Sequence, residues 1–189
     1  MKNNKEYFIN ALRSTNRGGI DNLISYLEYE TDFFTAPAST KYHLAYEGGL
    51  LEHSINVFEV LKEECSDFVE ISSESVILAA LLHDVCKANY YKKDFRNVKV
   101  DGVWKQVECY TVDDQLPLGH GEKSVMILQN FINLTPEEVM AIRWHMGGFE
   151  PKENYNYMNK AFSENMLAFL LHIADMKATY LLENKNKEN

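Results

Sequence analysis

The stretch LLHDVCKANYY, Leu81 to Tyr91, sets His83, Asp84 and Lys87 into a segment that is apolar without a break from Val76 to Leu82. Burying such groups is costly unless they are paired or bind a cation. His53 in GGLLEHS, His120 in LGHGEKS and His145 in RWHMGG add three imidazoles, and Asp175 in HIADMK places a carboxylate near the C-terminus. Imidazole and carboxylate together suit Mn, Fe, Co, Ni or Zn. No pair has the four-residue step of a site built on one helix. A shared cation must therefore be gathered from separate helices, as in the metal sites of helical bundles.

Such positions need a helical scaffold, and most of the chain supplies one. KEYFINALRS and IDNLISYLEYE repeat apolar residues at three- and four-residue steps, with Gly18-Gly19 breaking them apart. After a loop from Thr31 to Gly49, the spacing predicts a helix from about Leu50 to Phe68. Another covers SSESVILAALLHDVCK, led by serines suited to capping. Between Ala88 and Pro117 the period changes, and Asp101-Gly102 has the chemistry of a two-residue hairpin turn. Folding about it pairs Val100 with Val103 and puts Val98, Val107 and Cys109 on one face. Helix returns in GEKSVMILQNFIN and again at TPEEV, where Thr135, Pro136 and Glu138 form a capping box. A polar Tyr- and Asn-rich loop then leads into a long helix from Ala161 to Leu182, and ENKNKEN is expected to fray. The expected fold is all-α, a helical bundle with an inserted β-hairpin at about 90–116 and N-terminal helices in about 1–30, within a single domain over 1–189.

Composition narrows the partners. The chain is 189 residues long, 46% hydrophobic and 25% charged, ordinary for one globular domain. A formal net charge of −9 argues against stable binding of duplex nucleic acid, which needs a basic face. Cys65, Cys86 and Cys109 are odd in number and lack a CxxC pair, which fits a reducing cytosol. The first residues lack the apolar block of a signal peptide, and VILAALL and MLAFLLHIA are too short to cross a bilayer. A cytoplasmic protein without a membrane partner is expected.

The order H, HD, H, H, D resembles the HD-domain superfamily of metal-dependent phosphohydrolases over roughly Gly48 to Lys177. The apolar helix before the doublet, Lys87 three residues beyond Asp84, GGLLEH upstream and ADMK downstream make the agreement specific. The resemblance implies an HD-type helical core around one or two divalent ions, drawn from Mn, Fe, Co, Ni, Zn or Mg. It implies His53, His83, Asp84 and Asp175 as ligands, with Asp84 bridging to a second ion held by His120 and His145. With one ion, His120 and His145 serve as acid, base or phosphate contacts. The implied activity is hydrolysis of a phosphoester or phosphoanhydride bond of a small phosphorylated substrate, a nucleotide, by metal-activated water. Asp84 and Lys87 are its catalytic residues, Lys87 reaching a phosphate oxygen or the leaving group. YHLAYEGGLLEHS is also similar to the exoribonuclease branch of the family, whose members tend to pair histidines where Trp144-His145 stand. The alternatives are thus a single-strand 3′-5′ nuclease, or a catalytically idle nucleotide-binding scaffold, whose mark would be a missing ligand.

One segment bears on substrate. From Lys87 to Lys105 six basic residues stand against two acidic ones, net +4, with Tyr90, Tyr91, Phe95 and Trp104 interleaved. That mixture suits phosphate neutralisation with base stacking, or else a hairpin with a soluble outer face. Lys92 and Arg96 are its candidate phosphate contacts. Lys123 and Arg143 are two more, or solvated helix charges. His43 and His172 read as hydrogen-bonded core residues. From those places His43 can touch substrate from its loop, and His172 can act as a supporting partner near Asp175. Cys86 reads as a small buried hydrophobe, and Met166, Leu167, Phe169, Leu170 and Ile173 as core stripe.

Overall fold

Helix α4 (Ser73–Leu82) is apolar on almost every side, and only a central position satisfies such a helix. In a computed structural model, which describes residues 2–183, it occupies that centre. Around it pack α1 (Lys2–Ser14), α3 (Gly49–Glu64), α6 (Pro136–Trp144) and α8 (Met166–Lys177). Helix α2 (Ile20–Tyr29) lies against α1, α5 (His120–Gln129) against α6, and α7 (Tyr155–Glu164) against α8. Phe8, Leu12, Leu23, Leu27, Leu61 and Leu81 are among the fully buried core side chains. Burying each contributes about 1.5–3 kcal/mol. The fold is all-α with an inserted β-hairpin, as the sequence predicts.

The capping box forms: Thr135 Oγ1 accepts from the Glu138 amide, and Glu138 Oε2 accepts from the Thr135 amide at 2.9 Å. The same buried carboxylate receives Arg17 Nη2 at 2.8 Å and Ser75 Oγ at 2.8 Å. One acidic side chain thus ties the N-termini of α4 and α6 to the α1–α2 connection.

Several boundaries differ from expectation. Helix α3 stops at Glu64, not Phe68. The segment read as one helix through Lys87 ends at Leu82 and continues as a single 3-10 turn, Val85–Lys87. The Tyr- and Asn-rich segment is helical, as α7, and Asn165 divides the expected long C-terminal helix. Asn165 leaves helical geometry and caps α8, its Oδ1 accepting from the Ala168 amide at 3.2 Å. A wider π-helical turn, Ala178–Leu182, follows α8. Residues 184–189 of the stretch expected to fray lie outside the described residues, whereas Glu183 is buried. Of the expected core stripe, Leu167 and Leu170 are buried but Met166 and Phe169 are exposed, because the cap at Asn165 sets α8's inward face on Leu167, Ala168, Leu171 and Ala174.

Strands β1 (Tyr91–Val100) and β2 (Val103–Val112) pair antiparallel with Val100 opposite Val103. Asp101 and Gly102 both take positive φ, 51° and 81°, as the two-residue turn requires. The pleat puts Val98, Val107 and Cys109 on one side. Neither face is covered along most of the ribbon, and Phe95 and Trp104 remain 62% and 68% exposed.

Candidate metal centre and its cavity

An α-helix turns about 100° per residue, so adjacent side chains diverge. His83 and Asp84 serve one site because α4 ends between them and the 3-10 turn: Asp84 sits at φ −103°, ψ 17°. Helix α3 brings His53. Its start is fixed by Gly48, at φ 84°, and by Gly49, where a Cβ would stand 2.0 Å from the Leu44 carbonyl oxygen. That close approach folds the preceding loop over α3 and sets the His43 ring 5.0 Å from the His53 ring. The end of α6 supplies His145, the first residue of α5 supplies His120, and α8 supplies Asp175. Gly147 lets the chain after α6 lie flat on α8, since a Cβ there would meet the His172 ring at 2.3 Å.

Hydrogen bonds assign the ring protons. His83 Nδ1 donates to the Ala80 carbonyl at 2.8 Å, and His145 Nδ1 to the Ile142 carbonyl at 2.7 Å. His53 Nδ1 lies 3.0 Å from Glu183 Oε1; an ionised carboxylate only accepts, so this nitrogen too carries the proton. All three rings therefore turn Nε2 inward, where each presents a lone pair whenever the imidazole is neutral. His53 Nε2 stands 3.5 Å from Asp84 Oδ2 and 3.3 Å from Asp175 Oδ1, and His83 Nε2 3.5 Å from Asp84 Oδ2 and 3.3 Å from His53 Nε2. On the other oxygen of Asp84, His145 Nε2 lies at 3.5 Å and His120 Nε2 at 2.6 Å. His145 Nε2 is buried without a hydrogen-bond partner.

Lone pairs facing lone pairs and carboxylates repel unless positive charge stands among them. The donor set fits a divalent cation. With metal–nitrogen and metal–oxygen bonds of about 2.1 Å, the edge of a tetrahedron of ligands is about 3.4 Å, close to the 3.3–3.5 Å separations around His53, His83, Asp84 and Asp175. The groups divide over the two oxygens of Asp84: His53 and His83 stand beside Oδ2, with Asp175 joined through His53, and His120 and His145 stand beside Oδ1.

The electrostatics point the same way. Burial pushes the Asp84 carboxyl up, but the Lys87 ammonium 2.6 Å away, with His83 and His120, more than reverses this and holds it well below the usual carboxylate range. Asp175 is likewise held low: burial raises it, and the hydrogen bond with His53 together with the charges of His53, His83 and His145 more than reverses this. Burial pushes His83 down to about 3. His53 is opposite: burial lowers it, yet hydrogen bonds with Asp175 and Glu183 bring it up to about 10. The pocket thus favours positive charge where His53, Asp84 and Asp175 meet.

A cavity of about 560 Å³ opens on this cluster, with His53, Asp84, Lys87 and Asp175 among its lining. His43 lines it too. His172 supports His145 rather than Asp175, its Nδ1 donating to the His145 carbonyl at 2.8 Å. Cys86 is buried, and burial pushes its thiol up to about 12. Lys123 is held by Asp114 at 2.5 Å, and Arg143 by Glu122 at 2.5 Å and Glu150 at 2.8 Å. Lys92 and Arg96 stand on the hairpin and line no part of this cavity; Lys92 lies 3.6 Å from Asp113. Glu183 escaped the sequence reading. It accepts from His53 and from Asn56 Nδ2 at 3.0 Å each, and its only signal was a carboxylate at the end of an apolar helix.

The HD domain family model matches residues 50–177. The chain belongs to the HD domain family. A dihydroneopterin 2',3'-cyclic phosphate phosphodiesterase of Methanocaldococcus jannaschii is similar to this chain, with 34% identity over 114 residues. That match covers 56% of this chain and 40% of the relative, so the likeness spans about two fifths of the relative's length. No solved structure matches. HD domains bind divalent metals, and this one has His and Asp groups able to hold them. No helix among the described residues is long and apolar enough to cross a membrane.

Proposed function

We propose that the chain is a metal-dependent phosphohydrolase that cleaves a phosphoester or phosphoanhydride bond of a nucleotide or a similar small phosphorylated molecule. The observation that carries this reading is the convergence of three Nε2 atoms on Asp84 and Asp175 at metal-polyhedron spacing. Family membership and the phosphodiesterase relative support it. His53, His83, Asp84 and Asp175 would hold one divalent ion, and His120 and His145, with Asp84, would hold a second. Bound there, the metal supplies water activation and neutralises charge on the phosphoryl oxygens.

The protein's own groups do the rest. Asp84 stays ionised because Lys87 and the imidazoles hold it so. Lys87 lines the cavity and donates to a phosphoryl oxygen. Water adds to phosphorus, the bond to the leaving oxygen breaks, and that oxygen takes the proton, leaving a phosphate with one more ionisable oxygen. Lys123 and Arg143 do not line the cavity, whereas Lys87 and His43 do, so phosphate contact falls to these two. The three cysteines are free, in keeping with a cytoplasmic setting.

Purified protein supplemented with Mn or Co, screened against nucleotides, cyclic dinucleotides and short oligonucleotides, tests the reading. Release of phosphate or of a phosphomonoester from a small nucleotide is expected. Trimming of oligonucleotides alone would replace it with the nuclease reading. Inertness towards the whole panel with metal bound would replace it with the idle scaffold.

A further inference from the structure

The ribbon of β1 and β2 lacks the support that such an element ordinarily needs. A two-stranded antiparallel hairpin is marginal in water unless a third strand joins it or a core covers it. Here the sheet holds β1 and β2 alone among the described residues, and both faces are open along most of their length. Lys92 to Asn97 on β1 are all exposed, whereas Cys109 to Thr111 on β2 are half-buried. Of the two unpaired edges, β1 offers the more accessible one.

The hydrogen-bonding parity of that edge is fixed. The Asp113 amide donates to the Tyr90 carbonyl at 2.9 Å, and an antiparallel ladder bonds at every second pair. Tyr91, Lys93, Phe95, Asn97 and Lys99 therefore turn N–H and C=O away from β2. The Phe95 amide shows this directly, since it donates to Asp94 Oδ1 at 2.7 Å and not to β2. Lay a second β1 antiparallel against the first, about a two-fold axis through Phe95, and these outward residues meet one another. Phe95 faces Phe95, Lys93 faces Asn97 and Tyr91 faces Lys99, while Asp94 faces Arg96 on both sides of the axis. Aromatic pairs and opposite charges are the cross-strand pairs that stabilise a sheet. Other registers do worse. An axis through Lys92, Lys93, Asp94, Arg96 or Lys99 sets that charge against itself. An axis through Asn97 or Val98 leaves Asp94 and Arg96 without an opposite charge and runs the pairing into the turn, where Asp101 has φ 51°.

We propose that the edge of β1 takes a second copy of this chain, the two joining about Phe95 into a four-stranded sheet with both β1 strands at its centre. Reciprocal Asp94–Arg96 pairs set the register, and the contact is self-complementary, as a closed two-fold dimer requires. A lipid surface matches less well. Asp101 stands at the tip of the ribbon, and the Asn97–Gln106 pair interrupts the face that Phe95 shares with Trp104. Single-stranded nucleic acid would account for the rings and the lysines but not for Asp94 beside Arg96. The proposal is independent of the hydrolase reading.

The test is analytical ultracentrifugation of the full chain over a wide range of concentration. A mass that rises from one chain to two and no further is expected. Asn97→Pro removes an outward N–H that β2 does not use, a position where an edge strand tolerates proline. Arg96→Asp sets carboxylate against carboxylate across the axis. Each is expected to raise the concentration at which half the chains are paired at least about tenfold, with the far-UV spectrum unchanged. Asp94→Arg combined with Arg96→Asp exchanges both partners and is expected to restore pairing to within about threefold of the native chain. A monomer at every concentration would overturn the proposal. So would a dimer that Asn97→Pro and Arg96→Asp leave intact, or a double exchange that pairs no better than Arg96→Asp alone. A monomer whose ribbon binds labelled oligothymidine, with binding lost on deleting residues 92–111, would overturn it in favour of single-stranded nucleic acid.

Discussion

Asp84 is the residue on which the centre turns, because its two oxygens meet imidazoles from different helices while Lys87 keeps it ionised. The histidines around it are aimed by what their outer nitrogens touch, and His53 differs from the others in using a carboxylate. Glu183→Gln keeps the shape of that contact and removes its charge. Metal retention, read by chelator competition, is expected to fall roughly ten- to a hundredfold, with the far-UV spectrum unchanged; unaltered retention would make Glu183 merely structural. The letters single out His53, His83, Asp84, His120, His145 and Asp175 because each sits in a distinctive local setting, and the fold brings these side chains together. They do not reveal Glu183. It lies eight residues past Asp175, and the π-helical turn between them resets the angle at which it leaves the helix. No residue pattern announces such a turn.

At the level of elements, α4 and α6 are locked by Glu138, whose buried carboxylate accepts from Arg17, Ser75 and Thr135. Removing one side of a buried pair leaves the partner uncompensated, so Glu138→Ala is expected to cost about 3 kcal/mol in urea unfolding. The pH dependence follows from the same contact. Burial raises Glu138, but Arg17 and its other donors lower it further, to a net value below the ordinary glutamate range. Its contribution is therefore present above the unfolded value and is lost as pH falls through the lower folded one. Urea midpoints of the native protein should drop more steeply than those of Glu138→Ala across that acid range; parallel curves would contradict the assignment. The capping box at Thr135 was readable because its residue types and spacing are local. The division at Asn165 was missed because apolar residues continue on both sides of it, and its cap is settled partly by a distant partner, the Glu137 carbonyl 2.9 Å from Asn165 Nδ2. Asn165→Ala is expected to cost about 1 kcal/mol, measured in the same way.

Over the whole molecule, helix packing and hairpin are separable. The bundle was legible from apolar period, and the hairpin from its Asp101-Gly102 turn, but the direction in which the ribbon points depends on the chain leaving the Val85–Lys87 turn. Its basic residues consequently stand away from the cavity, although they follow the HD helix directly in sequence. Deleting residues 92–111 is expected to shift Tm by less than about 3 °C, the equivalent of about 1 kcal/mol at this chain size, since both faces are uncovered along most of the ribbon and its base meets the loop before α3 through the exposed Lys93–Glu47 pair. A larger fall would show that the ribbon supports the core. The most direct test of the central claim is the metal content of the purified chain and of Asp84→Ala, determined by elemental analysis after exhaustive dialysis. One or two divalent ions per native chain and none in the variant is the result predicted. Equal content in both, or none in either after metal supplementation, would contradict a cation centre at Asp84.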